Sequence, residues 1–151
     1  MKKFKTIGIY SSLRSTKAFS LSNQIEEILS SKDCKVLYDN SFFLHGKEKN
    51  KKTFSKKYII NNADLIIAIG GDGSMLSCSR EYGFLGIPVL GINLGKLGFL
   101  TDRQLGSLEL ELPKIFKGNY QEESRNLLEV SNNKNSFTLV NEVVLHSGEL
   151  A

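Results

Sequence analysis

The feature that most constrains the fold of this chain is an apolar run at residues 63–69, Ala-Asp-Leu-Ile-Ile-Ala-Ile, which shows almost no alternation with polar residues. A strand with one face in water alternates apolar and polar residues, whereas a strand buried on both faces does not. The run is also far shorter than the roughly 20 apolar residues that a membrane helix needs. It therefore predicts a central strand of a parallel sheet.

Predicted strands and helices alternate along the first two thirds of the chain. Apolar residues spaced three and four apart mark the helices, and short apolar runs mark the strands. This rhythm is typical of a Rossmann-like, doubly wound α/β sheet, in which ligands bind at the carboxyl ends of the strands. The predicted strands are residues 6–10, 34–38, 63–69 and 87–92. The first predicted helix is capped by Ser15 or Thr16, and two further helices are predicted at residues 56–61 and 74–82.

The last third of the chain has a different pattern. A helix predicted at residues 105–116 is followed by strands at 123–130 and 137–145, with a polar turn between them. Two strands joined by such a turn form an antiparallel hairpin, which is not stable alone. We therefore predict an α/β nucleotide-binding domain over 1–120 and the beginning of a β-rich domain, apparently truncated, over 121–151.

Composition excludes several classes of protein. Hydrophobic residues make up 40% of the 151 residues, which excludes a wholly disordered chain. The start carries no signal-peptide core, and two cysteines, Cys34 and Cys78, cannot build a disulfide framework. We expect a cytoplasmic protein that binds no membrane, with Cys78 as a small buried residue rather than a nucleophile.

The net charge of +4 comes from a single segment. Residues 47–57 hold six lysines and one glutamate, which leaves the rest of the chain close to neutral. Such a cluster either binds phosphate or another polyanion, or forms a solvated connection. No aromatic ladder accompanies the lysines, so a solvated connection is favoured and nucleic acid is not expected as a partner.

The strongest chemical signal is Gly-Gly-Asp-Gly-Ser at residues 70–74, directly after the apolar run. Glycines let the backbone turn sharply and approach a ligand, and the following helix offers N–H groups to phosphate. A carboxylate at this turn, Asp72, is electrostatically unfavourable unless it accepts a proton from a hydroxyl or helps to hold Mg²⁺. Both tasks belong to phosphoryl transfer, and the alternative is an ordinary glycine-rich turn.

Two further segments place polar or aromatic residues near the same predicted edge. In residues 91–102, Phe99 can lie against a planar base, and its alternative is packing in the core. Lys96 can face a phosphate, and its alternative is a solvated side chain. Asn141 and Glu142 interrupt an apolar strand, where they can read an adenine edge and a ribose hydroxyl or lie in water at a strand end.

In this order and spacing the three segments resemble those of NAD kinases. The first alone is shared with diacylglycerol kinases, sphingosine kinases and phosphofructokinases, which remain alternatives on that motif. Gly-Ile-Asn-Leu-Gly-Lys-Leu-Gly-Phe-Leu-Thr-Asp at 91–102 and Asn-Glu-Val-Val-Leu-His at 141–146 narrow the resemblance to NAD kinase. The family continues into a β-rich domain with an Asp-Gly and a Thr-Pro-Thr-Gly-Ser-Thr-Ala-Tyr segment that are absent here.

The resemblance implies phosphorylation of the 2′-hydroxyl of the adenosine ribose of NAD by ATP, which gives NADP, with a divalent cation such as Mg²⁺. It implies that Asp72 is the proton acceptor and that the enzyme is a homo-oligomer, a dimer or a tetramer. A catalytically incomplete nucleotide-binding fragment is the alternative. The residues implied to contact NAD are Asp72, Gly73, Phe99 near the adenine, Asn141 and Glu142.

Overall fold

The computed structural model describes residues 4–12, 15–42, 51–95, 98–101, 103–104 and 108–140. Within them a parallel sheet of six strands precedes a two-stranded antiparallel hairpin, which confirms the predicted α/β class. The sheet contains β1 (Thr6–Tyr10), β2 (Lys35–Asp39), β3 (Thr53–Phe54), β4 (Leu65–Ile69), β5 (Val89–Asn93) and β6 (Arg103–Gln104), and the hairpin contains β7 (Leu128–Ser131) and β8 (Ser136–Leu139). The helices are α1 (Thr16–Ser30), α2 (Lys56–Asn62), α3 (Asp72–Glu81) and α4 (Leu108–Phe116), with a short 3₁₀ helix at Gly83–Leu85.

The strand order is β3-β2-β1-β4-β5-β6, so β1 and β4 lie at the centre of the sheet. All five residues of β4 are buried, as the apolar run predicts. The Asp64 carboxylate fixes the start of β4 beside β1, because Oδ2 accepts hydrogen bonds from the backbone N–H groups of Lys5 (2.9 Å) and Thr6 (3.0 Å). The chain reverses its direction of growth across the sheet between β1 and β4, which is where such folds bind ligands.

Helices cover both faces of the sheet. On one face, Ile67 packs in a buried cluster with Leu21 and Leu112 of α1 and α4. On the other face, the adjacent residue Ile66 belongs to a second buried cluster that includes Cys78 of α3. Successive residues of β4 thus enter two different cores, which explains the missing alternation. Cys78 is fully buried and not disulfide-bonded, as predicted.

Most predicted elements are confirmed, with shifted ends. The side chain of Ser15 caps α1 by accepting a hydrogen bond from the Lys17 N–H (3.2 Å). Helix α3 starts at Asp72, two residues earlier than predicted, because Gly71 is the extended N-cap residue. Residues 123–127 form no strand, since pairing with β8 begins only at Leu128.

The prediction of a solvated lysine connection is wrong for Lys51. Its ammonium group forms an ion pair with Glu26 of α1 and donates hydrogen bonds to the Tyr38 hydroxyl (2.9 Å) and to Asn23 Oδ1 (2.7 Å). It also lies 4.7 Å from the centre of the Tyr38 ring. Lys51 therefore ties its segment to α1 and β2, while Lys47 lies outside the described residues.

Across the described part of the chain, none of the helices is long and apolar enough to cross a membrane.

Candidate functional site

The glycine-rich turn lies at the carboxyl edge of the sheet, between β4 and α3. Gly70 has a φ of 151°, a conformation that favours glycine, and its N–H donates to the Ile92 carbonyl of β5 (3.0 Å). A Cβ added at Gly71 or Gly73 would meet no atom within 4 Å apart from its chain neighbours and the backbone of its own helix. The backbone of the turn therefore faces open space, as close approach of a ligand requires.

Asp72 is the first residue of α3, and its carboxylate joins two of the predicted segments. Oδ2 accepts a hydrogen bond from the Phe99 N–H (2.9 Å), and Oδ1 accepts from the Leu100 N–H (3.1 Å) and the Thr101 hydroxyl (3.3 Å). These hydrogen bonds, led by the two from Phe99 and Leu100, lower the pKa of Asp72 below its ordinary value. The carboxylate is therefore held ionised.

Residues 98–101 form a loop, the 98–101 loop, that can lie against Asp72 because residue 98 is a glycine. A Cβ at Gly98 would lie 2.7 Å from Asp72 Cγ and 2.8 Å from Asp72 Oδ2, distances that real Cβ atoms do not adopt. At the base of the loop a Cβ at Gly91 would lie 3.0 Å from Thr101 Cγ2 and 3.1 Å from Met75 Sδ. Both glycines allow the loop to close onto the start of α3.

Phe99 projects from this loop into solvent. Its side chain is 97% exposed, so the alternative that it packs in the core is wrong. A cavity of about 400 Å³ lies beside β5, and Phe99 and Leu100 form part of its wall together with Val89, Tyr120 and Leu127. Its volume is within the range of small-molecule sites, which begins at about 300 Å³. Asp72 is not among its lining residues, so the cavity adjoins the carboxylate rather than containing it.

Three polar residues at this edge were not singled out from the sequence. Ser12, just after β1, has its Oγ 2.7 Å from Oγ of Ser74 in α3. Asn93 and Thr101 are 4% and 1% exposed, and Asn93 Nδ2 donates to Thr101 Oγ1 (2.9 Å). Ser12 follows β1 and Asn93 ends β5 at the carboxyl edge, and that placement was the available signal, whereas Thr101 lies just before β6.

Three predicted site residues belong to segments that the structure does not describe. Asn141, Glu142 and Lys96 lie outside the described residues. In the part of the chain that the structure describes, no group of three or more His, Cys, Asp or Glu side chains is arranged to hold a metal ion. Mg²⁺ is usually held by one or two carboxylates together with substrate phosphates, and it stays a prediction.

Comparison with known proteins identifies one family. Residues 7–120 match the family model described as the ATP-NAD kinase N-terminal domain. The NAD kinase of Marinobacter nauticus is 37% identical over 156 residues, a match that covers 99% of this chain and 52% of that protein. The NAD kinase of Photorhabdus laumondii is 37% identical over 155 residues, covering 99% and 53%. The chain spans about half the length of the curated relatives it matches.

Two solved structures share the fold. Yeast NADH kinase complexed with NADH superposes with a TM-score of 0.70 at 20% identity, covering 91% of this chain and 46% of that one. The NAD kinase of Archaeoglobus fulgidus in complex with ATP gives a TM-score of 0.53 at 24% identity, covering 75% and 37%. At these identities the likeness concerns the fold alone.

Proposed function

The chain belongs to the ATP-NAD kinase family, whose N-terminal domain matches residues 7–120, and from this we propose that it supplies the catalytic carboxylate of an NAD kinase. In the proposed reaction ATP phosphorylates the 2′-hydroxyl of the adenosine ribose of NAD, and Asp72 accepts the hydroxyl proton. Residues 1–120 form the nucleotide-binding domain in this proposal, and 121–151 begin a β-rich domain. A cytoplasmic location and a homo-oligomeric state are predictions of the same proposal.

The observation that carries the proposal is the contact between Asp72 and the 98–101 loop. It brings an ionised carboxylate at a glycine-rich helix start together with an exposed aromatic side chain, Phe99. A base beside the ribose hydroxyl can accept its proton, and a flat aromatic surface can hold the adenine. Gly73 supports the proposal because its backbone is open to a ligand. Asn141 and Glu142 would complete the adenosine contacts.

A second candidate is a nucleotide-binding module without catalysis. It is favoured by one observation, the cavity of about 400 Å³ beside β5, which Asp72 does not line. Polyanion binding through the lysine segment is less well supported, because Lys51 is engaged by Glu26 and Tyr38. The family match likewise argues against a diacylglycerol, sphingosine or phosphofructokinase activity.

The test is an NADP-formation assay on this chain and on a chimera that joins it to the second half of the Marinobacter nauticus enzyme. We expect activity in the chimera, and we expect Asp72→Asn in the chimera to lower kcat by about 10²- to 10⁴-fold, the usual contribution of a general base. A folded chimera that binds NAD and ATP without forming NADP would refute the kinase proposal. That same result, binding without turnover in the chimera, would support the binding module.

Asn141 offers an independent test of the adenosine contacts. In the chimera, Asn141→Ala should weaken NAD binding by about 1–3 kcal/mol, the usual cost of leaving a buried polar partner unpaired. Calorimetric titration with NAD measures the change. An unchanged affinity would instead place Asn141 in water at a strand end.

A further inference from the structure

The contacts between Asp72 and the 98–101 loop are made mostly to backbone. The two carboxylate oxygens accept from successive amides, Phe99 N–H at 2.9 Å and Leu100 N–H at 3.1 Å. An acceptor that holds two successive amides fixes the path of the chain whatever side chains the loop carries. Since Phe99 is 97% exposed, the direction in which its side chain leaves the loop is set by that backbone rather than by packing of the ring.

A chain of hydrogen bonds runs from the buried Asn93 side chain through Thr101 to the carboxylate. Asn93 Nδ2 donates to Thr101 Oγ1 (2.9 Å), and a hydroxyl has a single hydrogen to donate, which Thr101 directs to Asp72 Oδ1 (3.3 Å). Asn93 Oδ1 accepts from the Gly95 N–H (2.8 Å), which fixes the orientation of the Asn93 amide. The direction of each hydrogen bond from Asn93 to Asp72 is therefore determined.

We propose that Asp72 has a second role, as the anchor of the 98–101 loop that carries Phe99, and that Thr101 and Asn93 are positioning residues for this carboxylate. The anchor stands on geometry alone, and only the statement that Phe99 faces the adenine rests on the proposed function. Gly98 is also needed for this contact, because a side chain there would occupy the space of the carboxylate.

The anchoring role gives the substitution Asp72→Asn a second effect. Asparagine keeps the shape of aspartate but replaces one acceptor oxygen with an NH₂ donor. One of the two loop amides, of Phe99 or of Leu100, would then face a donor, so Asp72→Asn removes a hydrogen bond of the loop as well as the base. The substitution should therefore alter the loop in the absence of any substrate.

The experiment uses amide NMR of the full 151-residue chain. In the unmodified chain, the Phe99 and Leu100 amide signals should shift together with the Asp72 Cγ signal as the pH is lowered. Amide signals that stay fixed while Asp72 titrates would overturn the proposal without any substitution. Arg80 and Glu81 of α3 are also charged, as are Lys96 and Asp102, which lie outside the described residues, so the Cγ signal of Asp72 itself is the reference.

Variants give the second measurement. Thr101→Val should speed proton exchange of the Phe99 and Leu100 amides about tenfold, the equilibrium effect of one lost hydrogen bond. Thr101→Ser retains the hydroxyl and should restore the original rates, and Thr53→Val, at the opposite edge of the sheet, is the matched control. Unchanged exchange in both Thr101→Val and Asp72→Asn would refute the anchor. If Thr101→Val does not fold, the titration and Asp72→Asn decide.

Adding NAD to the same samples separates the anchor from the proposed function. We expect NAD to shift the Phe99 signals in the unmodified chain and in Thr101→Ser, and to shift them less in Thr101→Val. If the titration and the exchange rates support the anchor but NAD does not shift the Phe99 signals, the anchor is supported and the adenine contact is not.

Discussion

Asp72 shows at the scale of one residue how a charge can hold a loop. The hydrogen bonds from Phe99 and Leu100 favour the ionised carboxylate and lower its pKa. A carboxylate with a lowered pKa is also a weaker base, so its use as a proton acceptor depends on its position beside the hydroxyl as much as on its basicity. The second role of Asp72 thus limits the first.

A pH dependence follows for the anchor. Because the pKa of Asp72 is lower in the folded than in the unfolded chain, where it is near 4, the ionised form stabilises the folded state. This stabilisation is complete above about pH 4 and is lost as the pH falls through the lowered pKa. We expect proton exchange of the Phe99 and Leu100 amides, corrected for the intrinsic rate, to rise only in that acidic range. Asp72→Asn is the control and should lack this transition.

At the scale of elements, Lys51 joins a connecting segment to α1 and β2. Lys51→Met keeps the apolar part of the side chain and removes the ammonium that Glu26 and Tyr38 contact. We expect a loss of about 1 kcal/mol in the free energy of unfolding, more than an exposed ion pair gives. Urea denaturation measures it. Lys57→Met, an exposed lysine of α2, should leave the stability unchanged, and equal effects of both substitutions would contradict the structural role.

The contact between Tyr82, the C-cap residue of α3, and Asp39 connects the end of that helix to β2. Both residues are buried, and the Tyr82 hydroxyl donates to the Asp39 carboxylate, which also accepts from the Ser41 N–H (2.7 Å). Tyr82→Phe leaves a buried carboxylate short of one donor, so we expect unfolding to become easier by about 1–3 kcal/mol. Thermal denaturation, with the more exposed Tyr58→Phe as control, tests this. A stability equal to that of Tyr58→Phe would show that Asp39 does not need the hydroxyl.

Features that depend on neighbouring residues could be predicted from the sequence, whereas contacts between residues far apart in the chain could not. The apolar run of β4 and the cap at Ser15 are local signals, and both elements are where they were predicted. Strands β3 and β6 have two residues each, which is too few to show a periodicity. They are strands because they pair with β2 and β5. The contact of Asp72 with Phe99 spans 27 positions, and that of Lys51 with Glu26 spans 25, so neither had a local pattern.

At the scale of the whole molecule, the hairpin carries an apolar face. The register pairs Leu128 with Leu139 and Val130 with Phe137, which places these four side chains on one face and leaves the polar residues on the other. Leu128 is 45% exposed and Phe137 is 58% exposed. Apolar faces and open strand edges of this kind promote association between chains.

We therefore expect the 151-residue chain to self-associate through the hairpin. The double substitution Leu128→Ser and Phe137→Ser should shift the chain towards the monomer in light scattering at increasing concentration. Phe84→Ser is the control, because Phe84 is similarly exposed, at 52%, but lies in the 3₁₀ helix. A monodisperse monomer before any substitution would show that the hairpin face does not associate.

The central position of β1 has a consequence for the nascent chain on the ribosome. β1 is made first but pairs on one side with β2 and on the other with β4, whose last residue is Ile69. Translation adds about 5–20 residues per second, so one edge of β1 waits on the order of seconds after β2 has been made. Until Asp64 reaches the N–H groups of Lys5 and Thr6, that edge is open to pairing with other nascent chains. A slow stretch of codons between β2 and β4 would prolong this interval, and a fast one would shorten it.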